Sequence, residues 1–184
     1  MTPNTKHTVP TSSGNFGTSV TSGPWPSNSV PTARSKRDRL DMWFIKPLRK
    51  MDGHQGFICL SICLFLYEKY LRKTGKIGDK ELFSKGHPVF NQIGNDFKIS
   101  KDDAYEFWNC WRNGFAHHGL PKTSSKFGWG LTGDQKKIVC ITGASFTVNP
   151  WLMRDKILDE IEKEKSIWDD DLAPLMQEFR IIEP

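Results

Sequence analysis

The stretch Phe57 to Tyr67, FICLSICLFLY, constrains this chain more than any other, with eleven residues interrupted only by Ser61. It is too short to span a bilayer, which takes about twenty apolar residues. It is also apolar on nearly every face of a helix, so it belongs at the centre of a bundle. The segment continues amphipathically through Glu68, Lys69, Arg72 and Lys73 to a stop at Gly75. Its basic last turn suits the negative end of the helix dipole. Lys69, Arg72 and Lys73 read as a solvated face, and Glu68 as the first charge of an exposed end. A second reading of Glu68 is that it orients a histidine or Arg112 in a groove.

Around this helix the pattern is mainly helical. DRLDMWFIKPLRKM, from Asp38, reads as a first helix that Pro47 must kink or divide. Residues 79–97 suggest one or two short helical pieces broken at Gly86 and Pro88. A further helix starts at Ser100, a good N-cap, with Asp102 and Asp103 in its first turn. Ala104, Phe107, Trp108, Trp111 and Phe115 then recur at helical spacing, until Gly119 and Pro121 end the helix. The period changes in KFGWGLTGD, KKIVCITG and ASFTVN, three short strands with turns at Gly133-Asp134 and Gly143. Asn149-Pro150 announces a last long helix from Trp151 to about Trp168, with Leu158 and Ile161 inward, and Asp169–Phe179 adds a short one. The expected fold is a mainly α helical bundle with a small β-meander inserted before the last long helix.

Residues 1–33 are rich in Ser, Thr, Pro, Gly and Asn and read as a disordered tail that the folded domain, 34–184, does not need. The basic run Arg34, Lys36, Arg37 and Arg39 reads as a solvated helix start in preference to a nucleic-acid patch. The net charge of +5 leans towards a polyanionic partner. Cys59, Cys63, Cys110 and Cys140 lie in apolar surroundings without a C-x-x-C pair, so buried reduced thiols are expected and no metal site. With no secretory layout at the N-terminus, the expectation is a cytoplasmic protein without a membrane segment. His54 and His87 have no inferable partner.

The chemistry concentrates in Trp111–Pro121, WRNGFAHHGLP. A guanidinium holds phosphate oxygens by paired hydrogen bonds, and imidazole exchanges protons near neutral pH. On a regular helix, however, His117 lies about 140° and His118 about 240° round from Arg112. Two arrangements bring an arginine and a histidine to one phosphate. Either the helix loosens at Gly114 or ends by Ala116, or a second copy supplies the missing group. A purely structural alternative makes Arg112 and His117 helix-terminal residues that satisfy carbonyls and the dipole.

RNGFAHHG resembles the signature of the HEPN superfamily (higher eukaryotes and prokaryotes nucleotide-binding). That signature is an arginine, usually a polar residue after it, and a histidine with four to six residues between, late in a bundle helix. Arg112, Asn113 and His117 match it, with four residues between Arg112 and His117, and His118 fits the same spacing as a reserve. The resemblance extends more loosely over residues 38–170. It implies a dimeric helical bundle and a metal-independent endoribonuclease that leaves 2′,3′-cyclic phosphate ends, in a toxin–antitoxin or phage-defence setting. Arg112, His117 and Asn113 would be catalytic, no cofactor would be used, and the partners would be RNA, a second copy and an antitoxin or sensor protein. One branch of the superfamily carries a tyrosine two residues after the histidine; here that position is Gly119, so that branch's nucleotidyltransferase partner is not implied. The alternative is a catalytically silent HEPN-like module that binds RNA or protein.

Overall fold

The computed structural model describes residues 36–164 except Asp79. The tail expected at 1–33, Arg34 of the basic run, Trp168 and the short helix expected at Asp169–Phe179 lie outside the described residues. The order is α1 (Lys36–Leu40), a π turn (Asp41–Ile45), α2 (Lys46–Lys50), a 3-10 turn (Gly53–Gln55), α3 (Gly56–Thr74), α4 (Val89–Phe97) and α5 (Lys101–Phe107). A second π turn (Trp108–Arg112), α6 (Asn113–His118), β1 (Gly128–Leu131), β2 (Val139–Thr142), β3 (Ser145–Val148) and α7 (Pro150–Lys163) follow. The chain is thus mainly helical with a small three-stranded sheet before the last described helix. Among the described residues no helix is long and apolar enough to cross a membrane.

Proline decides the first helix. A proline at position 47 has no N–H to donate and its ring crowds the carbonyl four residues back. The chain widens before it instead of stopping: Lys46 N–H reaches Asp41 O in the π turn, and Pro47 falls in the first turn of α2, where a missing donor costs little. Arg37, in the basic run, is paired with Asp41 at 3.3 Å.

Helix α3 packs chiefly on α7, and Cys59, Leu60, Cys63, Leu64, Tyr67 and Leu71 are among its buried residues. It is not buried on every face, as its composition suggested. Ile58 and Phe65 are 56% and 42% exposed, seven residues apart on one side. The Tyr67 hydroxyl bonds to Asp96 at the end of α4, and burial, reinforced by that carboxylate, raises its pKa far above the ordinary value. Cys59 and Cys63 are fully buried and hydrogen-bonded to each other, which lowers the first thiol and, with burial, raises the second. Cys110 is buried as well, whereas Cys140, on the sheet, is half-exposed.

Only α4 forms in the segment expected to hold up to two short helices. His87, expected to stand alone, caps it: Nδ1 accepts from Val89 N–H at 3.1 Å and Nε2 meets Glu81 at 3.0 Å.

The three strands form where the two-residue period predicts them, but they are not a meander. The order is β1-β3-β2, with β1 parallel and β2 antiparallel to β3. The turn at Gly143-Ala144 is tight enough to force β2 and β3 into a hairpin, whereas residues 132–138 are long enough to carry the chain to the far edge. Asn149 holds that crossing. Its Nδ2 donates to Gly133 O (3.0 Å) and Gln135 O (2.9 Å), while its Oδ1 accepts from Trp151 and Leu152 N–H at the start of α7. Asn149 is the one polar residue fully buried among those described, at 3% exposure, and every side-chain bond it can make is used.

Candidate functional site

Ser100 caps α5 as expected, its hydroxyl accepting from Asp103 N–H at 3.1 Å. The aromatic stripe is buried throughout: Ala104, Phe107, Trp108, Trp111 and Phe115 all face the core. At Trp108 the helix widens into the second π turn, in which Asn113 N–H bonds to Trp108 O. The widening frees the carbonyl of Cys110, which accepts Lys122 N–H at 2.8 Å from the returning chain.

Gly114 faces that returning chain. A Cβ built there would lie 2.6 Å from both Leu120 O and Lys122 N, closer than any real contact. Its reason is therefore close backbone approach and not a loosening of the helix. The helix runs on as a regular α turn to His118 and ends at Gly119, whose φ of +68 suits glycine and whose N–H donates to Phe115 O. A single protomer accordingly leaves His117 round the helix from Arg112.

Arg112, the last residue of the π turn, does not cap the helix end. Its guanidinium is ion-paired to Glu68 of α3, donates from Nη1 to Asn113 Oδ1 at 3.2 Å, and lies 5.7 Å from the centre of the Phe65 ring. Glu68 is shared. Arg72, one turn further along α3, approaches its other oxygen from Nε and Nη2 at 2.9 and 2.8 Å. Arg72 also donates to Gly78 O and Glu81 O and stacks on Phe83 at 4.5 Å. The expected solvated face is thus corrected at Arg72, whose side chain is 13% exposed and ties α3 to the loop after it. Glu68 is only 12% exposed, so the reading that placed it against Arg112 is the one the fold realises. The signal was the Glu-to-Arg spacing of four on one helix, which favours pairing.

Two guanidiniums and one carboxylate leave the cluster one positive charge in surplus. Arg72 is saturated by carbonyls, whereas Arg112 has a side chain 21% exposed, its Nε buried and without a hydrogen-bond partner among the described residues. Of the two guanidiniums, that of Arg112 is the more exposed. His117 and His118 are exposed on the last turn, ring centroids 6.5 Å apart, and among the described residues neither hydrogen-bonds to Arg112. The fold brings together Arg112, Asn113 and Glu68; among the described residues neither histidine bonds to any of the three, although His117 stands one turn along α6 from Asn113. Among the described residues no group of three histidines, cysteines or carboxylates is placed to hold a metal ion.

No family model matches this chain, and no curated protein or solved structure is significantly similar to it.

Proposed function

We propose that the chain is a HEPN-like, metal-independent endoribonuclease whose working site is assembled from two copies, in a toxin–antitoxin or phage-defence setting. The observation that carries the reading is the Arg112–Asn113 pair at the end of a π turn, with a partly exposed guanidinium and an exposed histidine one turn on. π turns inside helices recur at functional sites. Because α6 stays regular through Gly114, the His117 that completes the Arg112 site comes from a second protomer. The exposed Ile58 and Phe65 of α3, the latter beside Arg112, offer the apolar contact such a pairing needs.

In this mechanism the ribose 2′-hydroxyl attacks the adjacent phosphorus and the 5′-oxygen leaves, giving a 2′,3′-cyclic phosphate. Arg112 holds the phosphate oxygens and stabilises the charge that grows on them. Asn113 orients the guanidinium through its Oδ1, and His117 exchanges the proton that moves from the 2′-oxygen to the leaving oxygen. His118 is the reserve.

The test is cleavage of a mixed RNA pool in EDTA with end-group analysis, for the parent chain and for Arg112→Ala, His117→Ala and His118→Ala. Losing general acid–base help costs about 10² to 10⁴ in rate. The first two changes should abolish cyclic-phosphate products and the third only reduce them. Light scattering should report twice the chain mass. Cleavage that disappears in EDTA, or that survives both Arg112→Ala and His117→Ala, would falsify the mechanism. One observation favours the second reading, a silent module that binds RNA or protein: Glu68 already occupies the guanidinium that a phosphate must take. A chain that binds the pool with Arg112 required, yet never cuts it, selects that reading.

A further inference from the structure

A second feature lies on the sheet, where β2 is one of the two outer strands. Asn149 N–H donates to Ile138 O at 2.8 Å, and the register sets Val139 opposite Val148. In an antiparallel pair, residues alternate between bonding to the neighbouring strand and turning away from it. Ile138 and Asn149 bond, so Cys140 and Thr142 bond to β3 as well. Val139, itself buried, and half-buried Ile141 therefore direct their N–H and C=O groups away from β3, to the edge of the sheet. Among the described residues none of those four groups has a backbone partner outside the ladder.

That edge borders a cleft of about 600 Å³, whose opposite wall is Phe97–Ser100 and Asp103, where α4 meets α5. Lys98, Lys136 and Lys137 line it, all exposed. No described carboxylate lies within ion-pairing distance of any of the three. The one carboxylate on the wall, Asp103, is engaged by Lys126 at 2.5 Å and by the Ser100 hydroxyl at 2.7 Å. Those bonds outweigh its burial and hold its pKa below the ordinary value. Among the described residues the cleft thus combines four backbone groups in strand geometry that lack a backbone partner with three lysines that lack a carboxylate partner.

We propose that the β2 edge binds an extended acidic segment of a partner protein as a fourth strand. Strand addition satisfies the exposed edge by main-chain hydrogen bonds, and side chains on the added strand supply selectivity. An acidic segment matches Lys98, Lys136 and Lys137. A nucleic-acid strand would meet the lysines but leave the N–H and C=O groups of Val139 and Ile141 unused. This surface is independent of the Arg112 cluster, and the proposal holds whether or not the chain cuts RNA.

The experiment titrates the full chain with a fluorescein-labelled peptide of alternating glutamate and valine, read by anisotropy. Three controls accompany it: the lysine–valine counterpart, a version N-methylated at alternate backbone positions, and labelled oligouridylate. The glutamate–valine peptide should bind, and the lysine–valine peptide should not. N-methylation should weaken binding about tenfold, as expected for two lost backbone hydrogen bonds. Lys136→Ser with Lys137→Ser should weaken it comparably, with an unchanged melting temperature. Amide exchange at Val139 and Ile141 should slow when the peptide is bound. Equal binding of the N-methylated peptide would reduce the cleft to a diffuse charge effect and overturn the proposal. Binding of oligouridylate in place of the peptide, or of neither, overturns it as well.

Discussion

The helices before α3 and before β1 are both broken by a π turn, and the two turns have different causes. In the first, Asp41–Ile45, the cause is covalent and local, because Pro47 cannot donate and the helix widens one turn early to admit it. In the second, Trp108–Arg112, every residue has a backbone N–H and nothing local demands the widening. It is drawn out by tertiary contact: Lys122 N–H claims Cys110 O, and the chain carrying it presses against Gly114. A π turn set by proline is a repair. One set by packing fixes the position of the residue that ends it, and here that residue is Arg112.

The contrast is broken most directly at the second turn. Gly114→Ala puts a methyl group 2.6 Å from backbone atoms that cannot rotate away. Overpacking of this kind costs about 1–3 kcal/mol or more, and the upper end is expected because the neighbour is main chain. Thermal or urea unfolding should show the loss. A variant as stable as the parent would mean that residues 120–122 are not held against the helix.

Glu68 sharpens the same point from the partner helix. Glu68→Gln removes the charge shared by Arg112 and Arg72 while keeping the shape of the side chain, and should cost about 1–3 kcal/mol, since the amide keeps an acceptor oxygen for one arginine and turns an NH2 donor on the other. Arg72 retains its carbonyl partners, so the freed group is Arg112. Affinity for oligoribonucleotide should rise in this variant and fall again when Arg112→Ala is added. Unchanged affinity in Glu68→Gln would show that the ion pair does not compete with an anion at Arg112.

A smaller effect is expected at Tyr67. Removing its hydroxyl in Tyr67→Phe leaves Asp96 without that donor and should cost about 1 kcal/mol at neutral pH. The alkaline limb carries the sign. Burial and Asp96 raise the folded-state pKa above the ordinary value of 10.0. The protonated phenol is thus favoured in the folded chain, and its contribution is complete below pH 10.0 and declines as pH rises beyond it. Tyr67→Phe should flatten that decline in melts between neutral pH and pH 11.

The smallest change belongs to the first π turn. Pro47→Ala restores a donor at a position where helices do not need one, and should shift stability by less than about 1 kcal/mol in either direction. If Pro47→Ala proves as costly as Gly114→Ala, the two turns share a cause and the distinction between them falls.

Much of the fold is written in local chemistry. The caps at Ser100 and Asn149, the aromatic stripe of Trp108, Trp111 and Phe115, and three strands at two-residue period follow from side-chain shape, donors and spacing alone. So does the candidate motif, since Arg112, Asn113 and His117 lie within six consecutive residues. What the residues could not reveal is long-range. Strand order depends on which edge residues 132–138 cross to, and Asn149 decides it by binding Gly133 and Gln135. The burial of Arg72 depends on the carbonyls of Gly78 and Glu81. Above all, the meaning of Gly114 reversed. Read along the helix, a glycine there suggests flexibility beside a reactive motif; in the folded chain it is the gap into which residues 120–122 fit. Local composition states what a residue permits, and only the chain that arrives from elsewhere determines which of those permissions is used.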